Sequence, residues 1–193
     1  LARMRVIAFA VSFAVVLCGC EEPEKKKKRT RSDDEPARSS LASSSAVAPA
    51  PQGEPPAGWS LLRPPGGGYS VFVPGAPEKL DTGLSELHAV KRPSGSAYMA
   101  MCMVSTEPDQ TFKGMRRGKI GERKLLSTTE IADGRGKGER LAIELETDKG
   151  LLVSNELLLV GKDRVCSFTA LVPASADEKA DIDRFFDSAR FEP

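Results

Sequence analysis

The sequence predicts an α+β domain: one antiparallel sheet of about six to eight strands, with a short middle helix and a C-terminal helix packed on it. Three observations carry this expectation. Leu141, Ile143 and Leu145 alternate with Glu144 and Glu146, the period-two pattern of a strand with one wet face. Leu157-Leu158-Leu159-Val160 is apolar at every position, as in a strand covered on both sides. Ile182, Phe185, Phe186 and Ala189 fall on one stripe at helical spacing.

The remaining elements follow in order from residue 59. Residues 59–63 and 69–73 are two strands joined by Pro64-Pro65-Gly66-Gly67-Gly68. That glycine run is a hairpin connection and not a phosphate cradle, because no Lys-Ser/Thr follows and no helix begins there. Strands over 84–92 and 97–105 flank the breaker Pro93-Ser94-Gly95. Residues 108–121 form a short helix with Phe112 and Met115 on one side. Gly114 and Gly118 weaken it by nearly 1 kcal/mol each, relative to alanine. A strand over 125–132 leads into a flexible turn over 133–138, and Asp148-Lys149-Gly150 and Gly161-Lys162-Asp163 are tighter turns around a strand over 151–160. A last strand covers 165–172. The terminal helix opens with Ser175 and Glu178 as a capping box, with Asp177, Glu178 and Asp181 at the positive end of its dipole.

A different signal lies at the other end of the chain. Arg3 and Arg5 precede an apolar run over residues 6–17, too short to span a bilayer, which takes roughly twenty apolar residues. Leu17-Cys18-Gly19-Cys20 then resembles the lipobox of bacterial lipoproteins, with leucine at minus three and glycine at minus one. The resemblance implies cleavage after Gly19, diacylglycerol and palmitate on Cys20, and a lipid bilayer as partner. An ordinary secretory cleavage site fits less well, since Ala8, Ala10 and Ala14 lie inside the apolar run. Met4 is a second candidate start. Residues 1–19 are thus expected to be a signal peptide, 20–58 a lipidated linker and 59–193 the globular domain. The linker has almost no large apolar residue and cannot offset its ordering entropy, so it is expected to be disordered.

The chain carries 28 Lys plus Arg and 27 Asp plus Glu. This balance persists in residues 59–193 and argues against a nucleic-acid footprint. In the linker, Lys25 to Lys28, Arg29 and Arg31 could rest on anionic head groups, but Glu21, Glu22, Glu24, Asp33, Asp34 and Glu35 flank them, which favours a solvated block. Lys113, Arg116, Arg117, Lys119, Arg123 and Lys124 form the domain's densest basic patch, either a solvated face or a dock for an acidic partner.

Few residues suggest chemistry. His88 is the only histidine, which removes His-rich zinc sites and the usual Ser-His and Cys-His arrangements. Cys102 and Cys166 remain after the signal and the lipid site, and an oxidising compartment permits them to pair. Two buried free thiols are the simpler reading, a disulfide the alternative. Met99, Met101 and Met103 share one face of a strand while Cys102 faces the other. Their soft sulfurs suit Cu(I), yet methionines packed into a core are the expected use. No catalytic, cofactor-binding or metal-ligating residue is assigned, and no enzyme is expected.

The segment Gly68-Tyr69-Ser70-Val71-Phe72-Val73-Pro74-Gly75-Ala76-Pro77 and the ending Arg184-Phe185-Phe186-Asp187-Ser188-Ala189-Arg190-Phe191 resemble PsbP-like or DcrB-like domains of small bacterial lipoproteins. The resemblance implies an interaction module without chemistry of its own. The expected function is that of an envelope lipoprotein facing the periplasm or exterior, with a non-enzymatic accessory domain and an envelope protein as partner. The alternative is a soft-metal or small-molecule binder using the Met-rich strand.

Overall fold

The structure, a computed structural model, describes residues 53–82 and 85–192. The Leu17-Cys18-Gly19-Cys20 tetrad, the basic block and the rest of the expected linker up to residue 52 lie outside the described residues. Ten strands and two helices follow in the order β1 (Ser60–Leu62), β2 (Tyr69–Val73), β3 (Glu78–Asp81), β4 (Glu86–Lys91), β5 (Ala97–Val104), α1 (Pro108–Ile120), β6 (Leu125–Asp133), β7 (Gly136–Thr147), β8 (Gly150–Val160), β9 (Arg164–Pro173), α2 (Lys179–Ser188) and β10 (Arg190–Phe191).

Seven strands form one antiparallel sheet in the order β3-β4-β5-β9-β8-β7-β6. This is the expected α+β architecture. A second, three-stranded ribbon, β1-β2-β10, stands apart from it. The sequence pattern gave no sign of β3 or β10. One is a charged four-residue edge and the other a two-residue pairing of Arg190 and Phe191 with Ser70 and Tyr69, both too short for a period to appear.

The two faces of the large sheet are covered differently. On one face the ribbon and α2 enclose the main core, where Tyr98, Phe168, Phe185, Leu157, Leu159 and Val71 lose all contact with solvent. The rings meet edge to face: Tyr98 to Phe185 at 5.3 Å and Phe168 to Phe185 at 6.2 Å between centroids, a preferred arrangement for aromatic pairs. On the other face α1 lays Phe112, Met115 and Ile120 over Leu141, Ile143 and Leu158. Leu157 and Leu158 therefore point into separate cores, which is why the Leu157–Val160 run is apolar on both sides.

Two local expectations are corrected. The turn after β6 is shorter than 133–138, because Gly136 and Gly138 already belong to β7. A Cβ on Gly138 would lie 2.0 Å from the Leu158 carbonyl oxygen, so glycine there serves a close approach of two backbones. The capping box at Ser175 and Glu178 does not form. Glu178 is itself the residue before α2, and neither it nor Ser175 makes a side-chain cap. Its carboxylate instead accepts hydrogen bonds from Ser94, Ser96 and Tyr98. Three donors from the β4–β5 turn and β5 outweigh one local backbone amide.

Candidate functional site

A groove of about 360 Å³ lies between α2 and the far half of the large sheet. Its floor includes Ser127, Thr129, Ala142 and Asn155, and its wall Lys179 and Ile182 from α2. Alternation along β6 aims Ser127, Thr129 and Ile131 at this side. Arg140 links floor to wall: its guanidinium donates to Asp183 and Asp187 and lies 5.2 Å from the Phe186 ring centre. The acids of α2, read from the sequence as decoration of the helix start and its outer face, are thus paired with cations of β7 and of the β4–β5 turn, including Asp181 with Arg92 at 2.6 Å.

β6 bounds this groove as the edge of the large sheet. Of its nine residues eight are exposed, and Ile131 is half-buried. The opposite edge, β3, is four residues long and carries the Lys79–Glu86 ion pair. Short, charged strands are the usual protection of a sheet edge against pairing with another chain; a long strand such as β6 is not so protected.

A second cleft, about 260 Å³, opens where the 64–67 turn faces β4 and β5. It is lined by Tyr69, Glu86, His88, Cys102, Val104 and Arg164, among others. The Tyr69 hydroxyl donates to the Ala100 carbonyl at 3.2 Å and lies 3.3 Å from His88 Nδ1. With the phenolic proton given to Ala100, Nδ1–H of His88 is the donor in the second bond. Burial pushes the Tyr69 hydroxyl well above its ordinary pKa and pulls His88 below its own, Glu86 opposing and Lys79 assisting the latter shift. A neutral imidazole thus positions the Tyr69 hydroxyl through Nδ1–H.

Cys102 and Cys166 stand directly opposite each other in the β5–β9 register and are joined by a disulfide, with Cα atoms 4.0 Å apart. The simpler free-thiol reading gives way to the bonded one, because register is a tertiary property that spacing in the chain does not reveal. Cys166 is fully buried, and Cys102 half-buried on the cleft wall.

The basic patch does not act as one surface. Arg116 donates to Glu139 at 2.6 Å, Lys119 lies 2.9 Å from Glu156, and Lys124 pairs with Glu144 at 3.1 Å. Three of its six cations therefore clamp α1 and the following loop onto β7 and β8. Glu156, only 2% exposed, also accepts from Ser154 and Thr169. This polar knot was missed in the sequence; its one signal is Ser154-Asn155-Glu156 interrupting a strand that is apolar on both sides of it.

Met99, Met101 and Met103 are corrected as well. They lie on the α1 face of β5, half-buried and outside both apolar clusters, while Tyr98, Ala100 and Cys102 face the core. Among the described residues no group of three or more His, Cys, Asp or Glu converges as a metal site, and no helix is long and apolar enough to cross a membrane.

No family model matches the chain, and no curated protein matches it. A crystal structure from Bacteroides thetaiotaomicron VPI-5482 is similar at 10% identity and a TM-score of 0.48, over 70% of this chain; the match spans 49% of the length of that one. The solution structure of cyanobacterial PsbP (CyanoP) from Synechocystis sp. PCC 6803 is similar at 9% identity and a TM-score of 0.52, covering 70% of this chain and 93% of that one. The described residues therefore have a PsbP-like fold.

Proposed function

We propose that the chain is an envelope lipoprotein, held to a bacterial membrane through acylated Cys20, whose folded part is a non-enzymatic accessory module. Its partner is an envelope protein that offers an extended polar segment as an added strand on β6. The observation that carries the reading is the contrast between the two sheet edges, one four residues long and ion-paired, the other nine residues long and almost wholly exposed. Strand addition draws affinity from main-chain hydrogen bonds and selectivity from alternate side chains, and here one set of alternate side chains would lie over the groove beside Arg140 and Lys179. The polar stretch of β6, Ser127-Thr128-Thr129-Glu130, suits a polar partner strand. A disulfide in the core agrees with an oxidising compartment, and the lipobox-like tetrad supports the anchor.

Two measurements test the reading separately. Cys20→Ser should move the protein from the membrane fraction to the soluble fraction of a bacterial host; retention with the membrane overturns the anchor. A photo-cross-linking residue at Thr128 should give one discrete adduct with an envelope protein, and the same residue at Glu78 should not. Equal adducts from both edges, or none from β6, overturn the docking strand.

A further inference from the structure

The methionine face of β5 has chemistry that the accessory reading does not use. Met99, Met101 and Met103 occupy alternate positions of one strand, and each is half-buried. α1 packs on β8 and β9, so the stripe lies at its flank. The residues paired with the stripe are uncharged: Ala89 and Thr169 beside Met99, Leu87 and Ser167 beside Met101, and Val165 beside Met103. Ser167 has a buried hydroxyl without a partner among the described residues, so the floor of the stripe is not closed by hydrogen bonding. Small neighbours such as Ala89 and Ser167 leave the thioethers room to change rotamer. The one imidazole, His88, lies on the opposite face.

We propose that Met99, Met101 and Met103 form a thioether site for a soft monovalent cation, Cu(I). The strand sets which sulfurs can cooperate. Alternate Cβ atoms stand about 7 Å apart along a strand. Flexible Met side chains can lean two neighbouring Sδ atoms to about twice a metal–sulfur length of about 2.3 Å. Met99 and Met103 are about 13 Å apart on the same scale and cannot share one ion. The stripe is thus two overlapping two-sulfur sites with Met101 common to both, and it holds one cation at a time. Neutral thioethers favour Cu(I) over Zn(II) or Cu(II), which prefer imidazole and anionic donors; no such donor is paired directly with the stripe, and the Glu156 carboxylate behind Thr169 is taken up by Lys119, Ser154 and Thr169.

The test is a Cu(I) titration of the full chain carrying Cys18→Ser and Cys20→Ser, so that no free thiol competes, against a chromophoric Cu(I) chelator, without oxygen and without thiol reductant, so that the disulfide stays closed. One Cu(I) per chain is expected. Met101→Leu removes a ligand from both pairs and should weaken binding by at least the roughly 10–100-fold that follows loss of even a supporting partner of a metal ligand. Met99→Leu and Met103→Leu each leave one pair intact and should cost only a few-fold, and Met115→Leu, on α1, should cost nothing. Leucine for methionine conserves volume and keeps the fold. Methyl resonances of the three β5 methionines should shift on addition of Ag(I), while that of Met115 stays. No uptake at micromolar Cu(I), or uptake unchanged in Met101→Leu, overturns the site; so does equal binding of Zn(II) that survives that substitution. None of these readouts depends on β6 or on Cys20, so this site and the accessory module stand or fall separately.

Discussion

The hydroxyl of Tyr98 donates a 2.8 Å hydrogen bond to the carboxylate of Glu178, joining the start of β5 to the residue just before α2. The same carboxylate accepts from Ser94 at 2.9 Å and Ser96 at 2.7 Å and lies 3.6 Å from the Arg92 guanidinium. Burial alone would raise its pKa, but bonds from Ser96, Tyr98 and Ser94, with Arg92 beside them, outweigh burial and hold it below the usual carboxylate range. One acidic side chain thus ties together a turn, a strand and the helix that closes the core.

Glu178→Gln should destabilise the domain by about 1–2 kcal/mol, the scale of charge-assisted hydrogen bonds made neutral in a partly buried site. Ser175→Ala should stay within about 0.5 kcal/mol, because its hydroxyl makes no cap. Thermal or urea unfolding of both variants decides between tertiary clamp and local capping box. A larger loss from Ser175→Ala than from Glu178→Gln would restore the capping box.

Lys119 and Glu156 form the deepest ion pair under α1, with the carboxylate 3% and the ammonium side chain 30% exposed. Lys119→Met strands a buried carboxylate and should cost about 2–3 kcal/mol, short of the 3–5 kcal/mol for a fully buried pair. The double variant Lys119→Met, Glu156→Leu should recover most of that loss, giving a coupling above about 1 kcal/mol in a double-mutant cycle. Additive losses would mean that Ser154 and Thr169 alone satisfy Glu156.

The Cys102–Cys166 bond closes a loop with a sequence separation of 64. On the chain-entropy account such a loop stabilises the fold by about 4 kcal/mol. Unfolding of the Cys102→Ser, Cys166→Ser variant in denaturant should show a loss of that order. A midpoint equal to that of the oxidised parent would show that β5 and β9 need no covalent link.

His88 makes stability depend on pH. Burial lowers its folded pKa, so the unfolded chain takes up a proton that the folded chain resists. Stability is therefore complete above the unfolded value of about 6.5 and declines as pH falls from there toward the lowered folded value. Glu178 acts in the same direction at lower pH: its contribution is present above the unfolded carboxylate range and is lost as pH falls through its lowered folded value. A series of melts from pH 7.5 to about 5 should fall for the parent and flatten for His88→Gln. Parallel curves would place the proton uptake elsewhere.

The helices and most strands were legible because each must hide one face. Phe185 and Phe186 announce α2, Leu141, Ile143 and Leu145 announce β7, and Leu157 to Leu159 announce a strand covered twice. Turn chemistry at Pro64-Pro65 and Pro93-Ser94-Gly95 marked hairpins that the structure contains. These are properties of neighbours in the chain, where side-chain period and backbone preference act without reference to the rest of the molecule.

Pairings between distant segments are decided only when the sheet closes. Period two correctly separated the methionines from Cys102, but nothing in the sequence said which side would receive α2 and the β1-β2-β10 ribbon. Whether Cys102 meets Cys166, whether Glu178 caps a helix or binds Tyr98, and whether Lys119 is solvated or seated on Glu156 were equally open. In each case a polar or sulfur atom has several partners of similar local merit. Strand register and the placement of two helices select among them by bringing residues dozens of positions apart within hydrogen-bonding distance.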